Sequence, residues 1–342
     1  MAETAAFNAP AAYFHTGQGI IDMAGAFLFP GQGSQAVGMG RSLAEAFPAA
    51  REVFEEVDDA LSHRLTRLMF EGPDSDLMLT ENAQPALMAV SIAVLRVLER
   101  EGNIDLRDKI AFVAGHSLGE YSALAAARTF DLGDTARLLR RRGQAMQRAV
   151  PVGEGAMAAL LGLDLEAAQS IAAEAVARTP EGTDPEICDV ANDNAPGQVV
   201  VSGHKTAVER AIAIAGERGA KRSVLLPVSA PFHCRLMQPA ADEMQEALAG
   251  IAMRQPAVPL VANVTAAAVS DPDTVRELLV RQVTGMVRWR ESVLAMKEAG
   301  VSQVFEIGAG KVLTGLVKRI DREIAGQAVG EPADIEAALK LL

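Results

Sequence analysis

The chain has 342 residues, of which 49% are hydrophobic and only 4% aromatic, and its formal net charge at pH 7 is −12. This length allows one large domain and a smaller one. The negative charge argues against general nucleic-acid binding, and no apolar run is long enough to span a bilayer. The two cysteines, Cys188 and Cys234, indicate a reducing compartment, so we expect a cytoplasmic protein without a disulfide framework.

The first 24 residues are rich in alanine, lack a basic start and contain no long apolar core. A secretory signal peptide has a basic start and an apolar core, so this stretch does not fit one. We predict a poorly ordered extension over residues 1–24, followed by a short strand at 26–29.

A glycine-rich turn follows that strand, and Gly31, Gly33 and Ala36 have the spacing of a dinucleotide-binding fingerprint. Such a site needs a second strand, ending in an acidic residue, about 20 residues further on. Residues 42–61 indicate instead an acidic amphipathic helix with more helix after it, so we reject a nucleotide site. A turn of this kind also exposes backbone N–H groups, which suits an oxyanion site.

Residues 111–125 combine a short apolar strand, a Gly-x-Ser-x-Gly turn and an Ala/Leu-rich helix. Gly115 and Gly119 let neighbouring backbone come close, so that a strained turn can expose the Ser117 hydroxyl at the edge of a sheet. The amides after Ser117 open the helix and point toward any anion held there. The context of strand and helix favours a nucleophile elbow over a chance match.

Three consecutive arginines, Arg140, Arg141 and Arg142, lie on a helix predicted at 134–149. Consecutive side chains point in different directions around a helix, so at most one or two of them share a face. The glycine that follows, Gly143, indicates that another part of the chain approaches closely beside Arg142.

From residue 151 onward the pattern changes to β-α-β-β-α-β, the order of the ferredoxin-like unit. The predicted strands are 155–162, 187–192, 198–202 and 223–228, and the predicted helices are 164–178 and 205–219. We therefore predict an α/β fold in two parts. A large hydrolase-like catalytic domain with a mainly parallel sheet comprises 25–150 and 229–342, and an inserted ferredoxin-like subdomain comprises 151–228.

The remaining chain is predicted to hold a helix at 237–248, a strand at 258–263, helical segments to residue 300 and a last strand at 304–307. The Gly308–Lys311 turn after that strand partly matches a phosphate loop, but Val312 stands where Ser or Thr is required. The five histidines show no metal-ligand spacing, and we expect neither a metal nor a cofactor.

A serine nucleophile needs a base at neutral pH. His233 follows a predicted strand and precedes a helix, which predicts a position at the carboxyl edge of the sheet beside Ser117. The other histidines lie in the extension, between helices, beside the nucleophile and at the start of a subdomain helix: His15, His63, His116 and His204. No acidic residue between Ser117 and His233 clearly ends a core strand, so the sequence favours a dyad in which another group holds His233.

Five motifs in order resemble the malonyl-CoA:acyl carrier protein transacylase family, over a likeness that runs from about residue 27 to 342. They are FPGQGSQ at 29–35, GHSLGEYSAL at 115–124, RGQAMQ at 142–147, PFHC at 231–234 and GAGKVLTGL at 308–316. The resemblance implies a ping-pong transfer in fatty-acid synthesis. Malonyl-CoA would acylate Ser117, and the phosphopantetheine thiol of an acyl carrier protein would then take the malonyl group.

The resemblance also implies roles for the residues around the nucleophile. His233 would accept the serine proton, and Gln282 would hold His233 through its backbone carbonyl. The backbone amides of Gln32 and Leu118 would form the oxyanion hole. Arg142 would bind the malonate carboxylate as a bidentate fork.

Three other functions are weighed against this one. A serine esterase or thioesterase, with water as acceptor, predicts a carboxylate on His233 and no task for Arg142. An acyltransferase serving polyketide synthesis would share the whole site, whereas a non-catalytic carrier-binding subunit would be expected to lack Ser117 or His233. Leu118 and, more weakly, Phe232 resemble malonyl-selective members of the family.

The expected partners are malonyl-CoA and an acyl carrier protein, with no nucleic acid and no membrane, and we expect a monomer. Two basic pairs, Lys221-Arg222 and Lys318-Arg319, are nominated for binding the acidic carrier protein.

Overall fold

A computed structural model describes residues 25–342, so the extension predicted at 1–24 lies outside the described residues. The strands are β1 (Gly25–Phe29), β2 (Phe112–Gly115), β3 (Gly155–Leu161), β4 (Cys188–Ala195), β5 (Gln198–His204), β6 (Arg222–Leu225), β7 (Leu260–Val261), β8 (Ala268–Val269), β9 (Gln303–Ile307) and β10 (Ala325–Val329).

The helices are α1 (Arg41–Ala46), α2 (Pro48–Leu61), α3 (Leu65–Glu71), α4 (Asp74–Leu77), α5 (Thr80–Gly102), α6 (Leu106–Lys109), α7 (Gly119–Ala126), α8 (Leu132–Ala149), α9 (Leu165–Ala177), α10 (Lys205–Glu217), α11 (Gln238–Ala249), α12 (Pro272–Thr284), α13 (Trp289–Glu298), α14 (Val312–Ile320) and α15 (Pro332–Ala338), with a 3₁₀ turn at Arg235–Met237. Within residues 25–342 we find no helix with the length and apolar content needed to cross a bilayer.

The larger sheet has six strands in the order β10-β9-β1-β2-β7-β8. All neighbouring pairs are parallel except β7 with β8. Strand β1 at its centre is fully buried, as expected for parallel strands covered by helices on both faces. The fold class is therefore α/β with a mainly parallel sheet, as predicted.

Both faces of this sheet are covered, and alternate residues of β1 belong to two separate cores. Phe27 and Phe29 pack into the larger core, which includes α2, α5 and α8. Ala26 and Leu28 point the other way, into a core formed with α13 and α14. This alternation follows from the two-residue period of a strand.

The prediction that 304–307 is the last strand is wrong, because β10 follows it and pairs with β9 in parallel. Strand β10 lies at an edge of the sheet and has the sequence Ala-Gly-Gln-Ala-Val, half exposed at its start. It lacks the run of large apolar residues on which a prediction from the sequence depends.

A second, antiparallel sheet has the strand order β4-β5-β3-β6. Its chain order is β-α-β-β-α-β, and α9 and α10 pack on one of its faces in a core of their own. Strand β4 reaches the larger unit, because the backbones of Asn192 and Val287 form an isolated bridge and Arg290 pairs with Asp193 at 2.8 Å. The hairpin between β4 and β5 therefore lies beside the carboxyl edge of the larger sheet.

Candidate active site

The turn between β2 and α7 places Ser117 in the left-handed region of backbone space, with φ at 55°. Such a conformation costs a non-glycine residue on the order of 1–3 kcal/mol. The flanking glycines make the turn possible: a Cβ on Gly115 would lie 1.9 Å from the Gly119 backbone, and one on Gly119 would lie 2.2 Å from the Phe29 carbonyl oxygen. The structure thus contains the strand, sharp turn and helix predicted for a nucleophile elbow.

Asn263 fixes the elbow from the neighbouring strand. Its Oδ1 accepts a hydrogen bond from the Ser117 amide at 2.8 Å, and its Nδ2 donates to the Gly115 carbonyl at 2.6 Å. Asn263 is fully buried and follows β7, which pairs with β2. The sequence reasoning missed this residue, although a polar side chain at the carboxyl end of a predicted strand was a usable signal.

His233 is in hydrogen-bonding contact with the serine. Its Nε2 lies 2.7 Å from the Ser117 Oγ, and its Nδ1 lies 2.9 Å from the backbone oxygen of Gln282. Since a carbonyl can only accept, Nδ1 carries the proton and Nε2 is free to accept the serine proton. Burial, with the nearby charge of Arg142 as the second cause, lowers the pKa of His233 to about 3, so the ring is neutral at pH 7.

The route by which His233 reaches the serine differs from the prediction. The strand before it, β6, belongs to the small sheet, and residues 226–234 form an irregular segment that delivers His233 to the edge of the large sheet. The argument from a preceding core strand was therefore wrong. The expectation of a partner other than a carboxylate agrees with the Gln282 carbonyl.

Arg142 extends from α8 toward the serine and is only 1% exposed. Its Nη1 donates to Gln84 Oε1 at 2.8 Å, and its Nη2 donates to Gln282 Oε1 at 2.8 Å and to Ser117 Oγ at 3.2 Å. No carboxylate among residues 25–342 forms an ion pair with it. A buried guanidinium is rarely left without an anionic partner, so this cation is available to an anionic group of a ligand.

The glycine after Arg142 and the two arginines before it have the arrangement predicted for them. A Cβ on Gly143 would lie 2.5 Å from the backbone of Glu81, so α5 does approach closely at this point. Arg140 donates to Asn82, and Arg141 pairs with a glutamate of α11. Neither of them forms a hydrogen bond with Ser117.

The two turns predicted to supply an oxyanion hole lie against each other. A Cβ on Gly31 would lie 2.6 Å from the His116 carbonyl oxygen, so Gln32 comes close to the elbow. Leu118 directly precedes the first turn of α7. Within the described part of the chain, the amides of Gln32 and Leu118 donate to no backbone or side-chain acceptor, which leaves both available to a bound oxygen.

Gln282 links the serine, the arginine and a buried carboxyl group. Its Nε2 donates to the Ser117 carbonyl at 2.9 Å and to Glu120 Oε2 at 2.7 Å, while its Oε1 accepts from Arg142. Burial raises the pKa of Glu120 to about 7. The resemblance pointed only to the Gln282 backbone, and Glu120 was missed because helix position alone does not show that a carboxyl group is buried.

Three histidines other than His233 can be placed. His116 pairs through Nε2 with Asn194 Oδ1 at 2.8 Å, and burial lowers its pKa. His204 Nδ1 accepts a hydrogen bond from a backbone amide at 2.8 Å, and His63 is exposed at the end of α2. His15 lies outside the described residues.

Residues 25–342 contain no group of three or more side chains that could hold a metal ion. Cys188 and Cys234 are free and buried. The arrangement around Ser117 is that of a serine nucleophile with a histidine base, a buried cation and two free amides, which suits acyl transfer of a substrate that carries an anionic group.

Comparison with known proteins agrees with this chemistry. The family model of the acyl transferase domain matches residues 26–333. Two proteins named malonyl CoA-acyl carrier protein transacylase are similar to the chain. The one from Bacillus subtilis (strain 168) is 45% identical over 93% of this chain and 96% of its own length, and the one from Escherichia coli (strain K12) is 46% identical over 92% and 99%.

Two solved structures are similar over nearly the whole chain. The acyl-carrier-protein-S-malonyltransferase of Bartonella henselae has a TM-score of 0.89 and 57% identity, over 93% of this chain and 99% of that one. A malonyl-transacylase solved in complex with an acyl-carrier protein of a type II polyketide synthase has a TM-score of 0.88 and 43% identity, over 93% and 99%.

Proposed function

The chain belongs to the acyl transferase family, and from this premise we propose that it transfers a malonyl group from malonyl-CoA to the phosphopantetheine thiol of an acyl carrier protein. The transfer has two halves that share one covalent intermediate, a malonyl ester of Ser117. The proposal rests above all on a single observation: a buried arginine without a carboxylate partner lies 3.2 Å from a serine that is itself paired with a histidine.

In the first half, Ser117 Oγ attacks the thioester carbonyl carbon while His233 Nε2 takes the hydroxyl proton. The Oγ–C bond forms, the C–S bond breaks, and the CoA sulfur leaves with the proton that His233 returns. The Gln282 carbonyl holds Nδ1–H and so fixes the ring and its tautomer. Because burial keeps the free imidazole neutral at pH 7, the base is ready without prior deprotonation.

The tetrahedral intermediate places a negative charge on the former carbonyl oxygen. We assign the amides of Gln32 and Leu118 to this oxygen, because both are free and lie on turns that meet at the elbow. Fixed donors of this kind are worth about 3–4 kcal/mol each in acyl-transfer enzymes.

In the second half, the thiol of the carrier protein gives its proton to His233 and its sulfur attacks the malonyl ester. The new C–S bond forms, the Oγ–C bond breaks, and Ser117 recovers its proton from His233. Both halves use the same two side chains, so the reaction needs no redox partner and no metal.

Arg142 separates this proposal from a serine esterase or thioesterase. A hydrolase of simple esters has no use for a buried cation beside its nucleophile, whereas a malonyl group ends in a carboxylate. The guanidinium presents two N–H edges, now held by the amide oxygens of Gln84 and Gln282, and offers a fork that fits a carboxylate.

The carrier protein is proposed to approach from the side of the β4–β5 hairpin. Asn194 of that hairpin contacts His116 beside the nucleophile, and Gln198 accepts a hydrogen bond from Arg319 at 2.8 Å. Gln198 and Arg222 both pair with Leu161 of β3. The basic pairs Lys221-Arg222 and Lys318-Arg319, all exposed, thus lie at one end of the small sheet beside the β4–β5 hairpin.

We propose that residues 151–228 form an inserted subdomain within a catalytic domain of 25–150 and 229–342, for which the separate core of the small sheet is the support. We propose a cytoplasmic location, which the two free cysteines support, and a monomeric state. A polyketide carrier protein is a second candidate acceptor, because one similar structure is a complex with such a protein.

Radiolabelled malonyl-CoA tests the proposal when it is mixed with the protein, with and without an acyl carrier protein. We expect label on the carrier protein only when enzyme and carrier are both present, and label on the enzyme when the carrier is omitted. Release of free malonate at the same rate in both mixtures would identify a thioesterase instead.

A further inference from the structure

The side-chain amide of Gln282 can be placed in two ways, related by a flip that exchanges its oxygen and nitrogen. In the observed orientation, Oε1 accepts from Arg142 at 2.8 Å and Nε2 donates to Glu120 at 2.7 Å and to the Ser117 carbonyl at 2.9 Å. The flipped amide would set its oxygen against the Ser117 carbonyl and the ionised Glu120 carboxylate, which are both acceptors, and its NH₂ against the guanidinium, which can only donate. The hydrogen-bonding partners on both sides of the Gln282 amide therefore fix its orientation.

Glu120 is the partner that can be removed without touching the nucleophile or the cation. It lies in the first turn of α7, is 1% exposed, and directs Oε2 at the Gln282 amide and at the backbone amide of Asn263, 3.4 Å away. Its Oε1 has no hydrogen-bond partner among residues 25–342. A buried carboxyl oxygen without a hydrogen-bond partner destabilises the folded state. Such groups in native proteins need an explanation, and a functional role is one.

We infer that Glu120 is a positioning residue for substrate selection: by holding the Gln282 amide in one orientation, it fixes the guanidinium of Arg142 where a malonyl carboxylate can reach it. Within the described residues, Gln282 is the only side chain that hydrogen-bonds to both Glu120 and Arg142, and these two form no hydrogen bond or ion pair with each other. The inference rests on the proposed function and adds to it a residue that touches neither substrate nor nucleophile side chain.

A positioning role and a purely structural role predict different effects of mutation on the rates of malonyl and acetyl transfer. A structural carboxyl group affects the transfer of all acyl groups alike, through the amount of folded enzyme. A residue that positions Arg142 affects malonyl transfer and spares acetyl transfer, because an acetyl group has no carboxylate to bind. The ratio of the two rates is therefore the diagnostic quantity, and it does not depend on enzyme concentration.

The test measures single-turnover acylation by malonyl-CoA and acetyl-CoA for the full chain and four variants: Glu120→Met, Glu120→Gln, Gln282→Met and the double Glu120→Met/Gln282→Met. We expect Glu120→Met to lower the malonyl-to-acetyl ratio about tenfold, mainly through weaker half-saturation by malonyl-CoA. Glu120→Gln keeps an acceptor toward Gln282 and should stay within about threefold of the native ratio.

The double variant shows whether Glu120 acts through Gln282. If it does, Gln282→Met alone lowers the ratio by a similar factor and the double variant is no worse than the worse single, because coupled sites are not additive. Glu306→Met is the matched control for Glu120→Met: this carboxyl group is also fully buried but caps α14, so its loss should leave the ratio unchanged.

An unchanged ratio in Glu120→Met, or losses that add in the double variant, would overturn the inference. If Glu120→Met does not fold, as judged by its thermal melting, an unchanged ratio in Gln282→Met overturns it as well. A native protein that shows no preference for malonyl-CoA would instead refute the proposed function, so the two failures are distinguishable.

Discussion

The guanidinium Nη2 of Arg142 lies 3.2 Å from the hydroxyl oxygen of Ser117. The two residues are on different elements: Ser117 lies in the turn before α7, and Arg142 is in the middle of α8. A cation at this distance can bind a carboxylate that is separated by one methylene group from the carbonyl carbon that the serine attacks. The contact therefore links the selection of the substrate to the nucleophilic attack by Ser117.

Replacing Arg142 with alanine should abolish the preference for malonyl-CoA over acetyl-CoA. A hydrogen bond to a charged group is worth about 1.5–3 kcal/mol, and 1.4 kcal/mol is a factor of ten, so the loss should be at least tenfold. The preference of Arg142→Lys should lie between those of the native protein and Arg142→Ala, since an ammonium group cannot form the bidentate fork. The measurement is the transfer rate with both thioesters.

Arg141→Ala is the control for this prediction. Arg141 is on the same helix, but it forms an ion pair with Glu243 at 3.0 Å on the surface of the protein. This variant should keep the native preference. Persistence of that preference in Arg142→Ala would show that another group binds the carboxylate.

Replacing His233 with alanine should lower the transfer rate by about 10²–10⁴, which is the usual contribution of a general base. His116→Ala is the matched comparison. His116 is also buried and adjacent to the nucleophile, but it pairs with Asn194 and not with the serine, so its loss should matter less. The reverse ranking in steady-state assays would exchange the two roles.

The pH dependence of kcat/KM gives a separate test of His233. An ordinary histidine has a pKa near 6.5, whereas burial and the charge of Arg142 lower that of His233 to about 3. The free enzyme thus keeps the neutral base as pH falls from 7 to 5. We therefore predict that His233 causes no loss of kcat/KM between pH 7 and pH 5. Burial raises the pKa of Glu120 to about 7, so a loss near this pH that disappears in Glu120→Gln belongs to that carboxyl group. A loss with an apparent pKa near 6.5 that the native protein and Glu120→Gln share would contradict the assignment of a neutral, buried His233.

Gly115→Ala should prevent formation of the elbow, because the added Cβ would lie 1.9 Å from the Gly119 backbone, which cannot move aside as a flexible side chain could. Overpacking commonly costs about 1–3 kcal/mol, and we expect this case at or above the upper end. Gly216→Ala in α10 is the control, since nothing lies within 4 Å of its added Cβ. Denaturant unfolding should show it to be as stable as the native protein, or up to about 1 kcal/mol more stable; equal stability of the two variants would contradict the packing argument.

Carrier-protein binding should weaken as salt rises, despite the net charge of −12. Exposed charges are screened over roughly 8 Å at physiological ionic strength, and Arg222 and Lys318 are exposed. The variant Arg222→Glu/Lys318→Glu should raise the KM for the carrier protein and flatten its salt dependence. Arg107→Glu is the control, since α6 packs into the core on one face of the large sheet and α14, which carries Lys318, packs into the core on the other face. The same effect in both variants would refute the assigned surface.

Much of the fold could be predicted because its signals are local. Strand β2, the glycine-flanked turn and α7 are consecutive, and the alternation of strands and helices from 155 onward is distinct. Pro48 was an overlooked signal: it starts α2 and divides the helix predicted at 42–61 into two, as proline at a first helical position does. Strand β10 was missed because it is short, small in its side chains and at an edge.

The site also has a part that local sequence could predict and a part that it could not. Ser117 could be found from its own turn, whereas the contacts of Arg142 with Gln84 and Gln282 join three helices that are far apart in the chain. No spacing rule predicts such contacts, and the sequence could not show that Glu120 is buried. Those features depend on tertiary packing, which the sequence pattern does not encode locally.

The proposed transfer depends on a malonyl ester of Ser117, and intact-mass analysis detects this intermediate. After mixing with malonyl-CoA and no carrier protein, the native chain should gain the mass of one malonyl group, and peptide mapping should place it on Ser117. Adding holo acyl carrier protein should remove it and yield malonyl carrier protein, while Ser117→Ala should acquire none. An adduct of equal yield on Ser117→Ala, or transfer to the carrier protein by that variant at the native rate, would contradict the account.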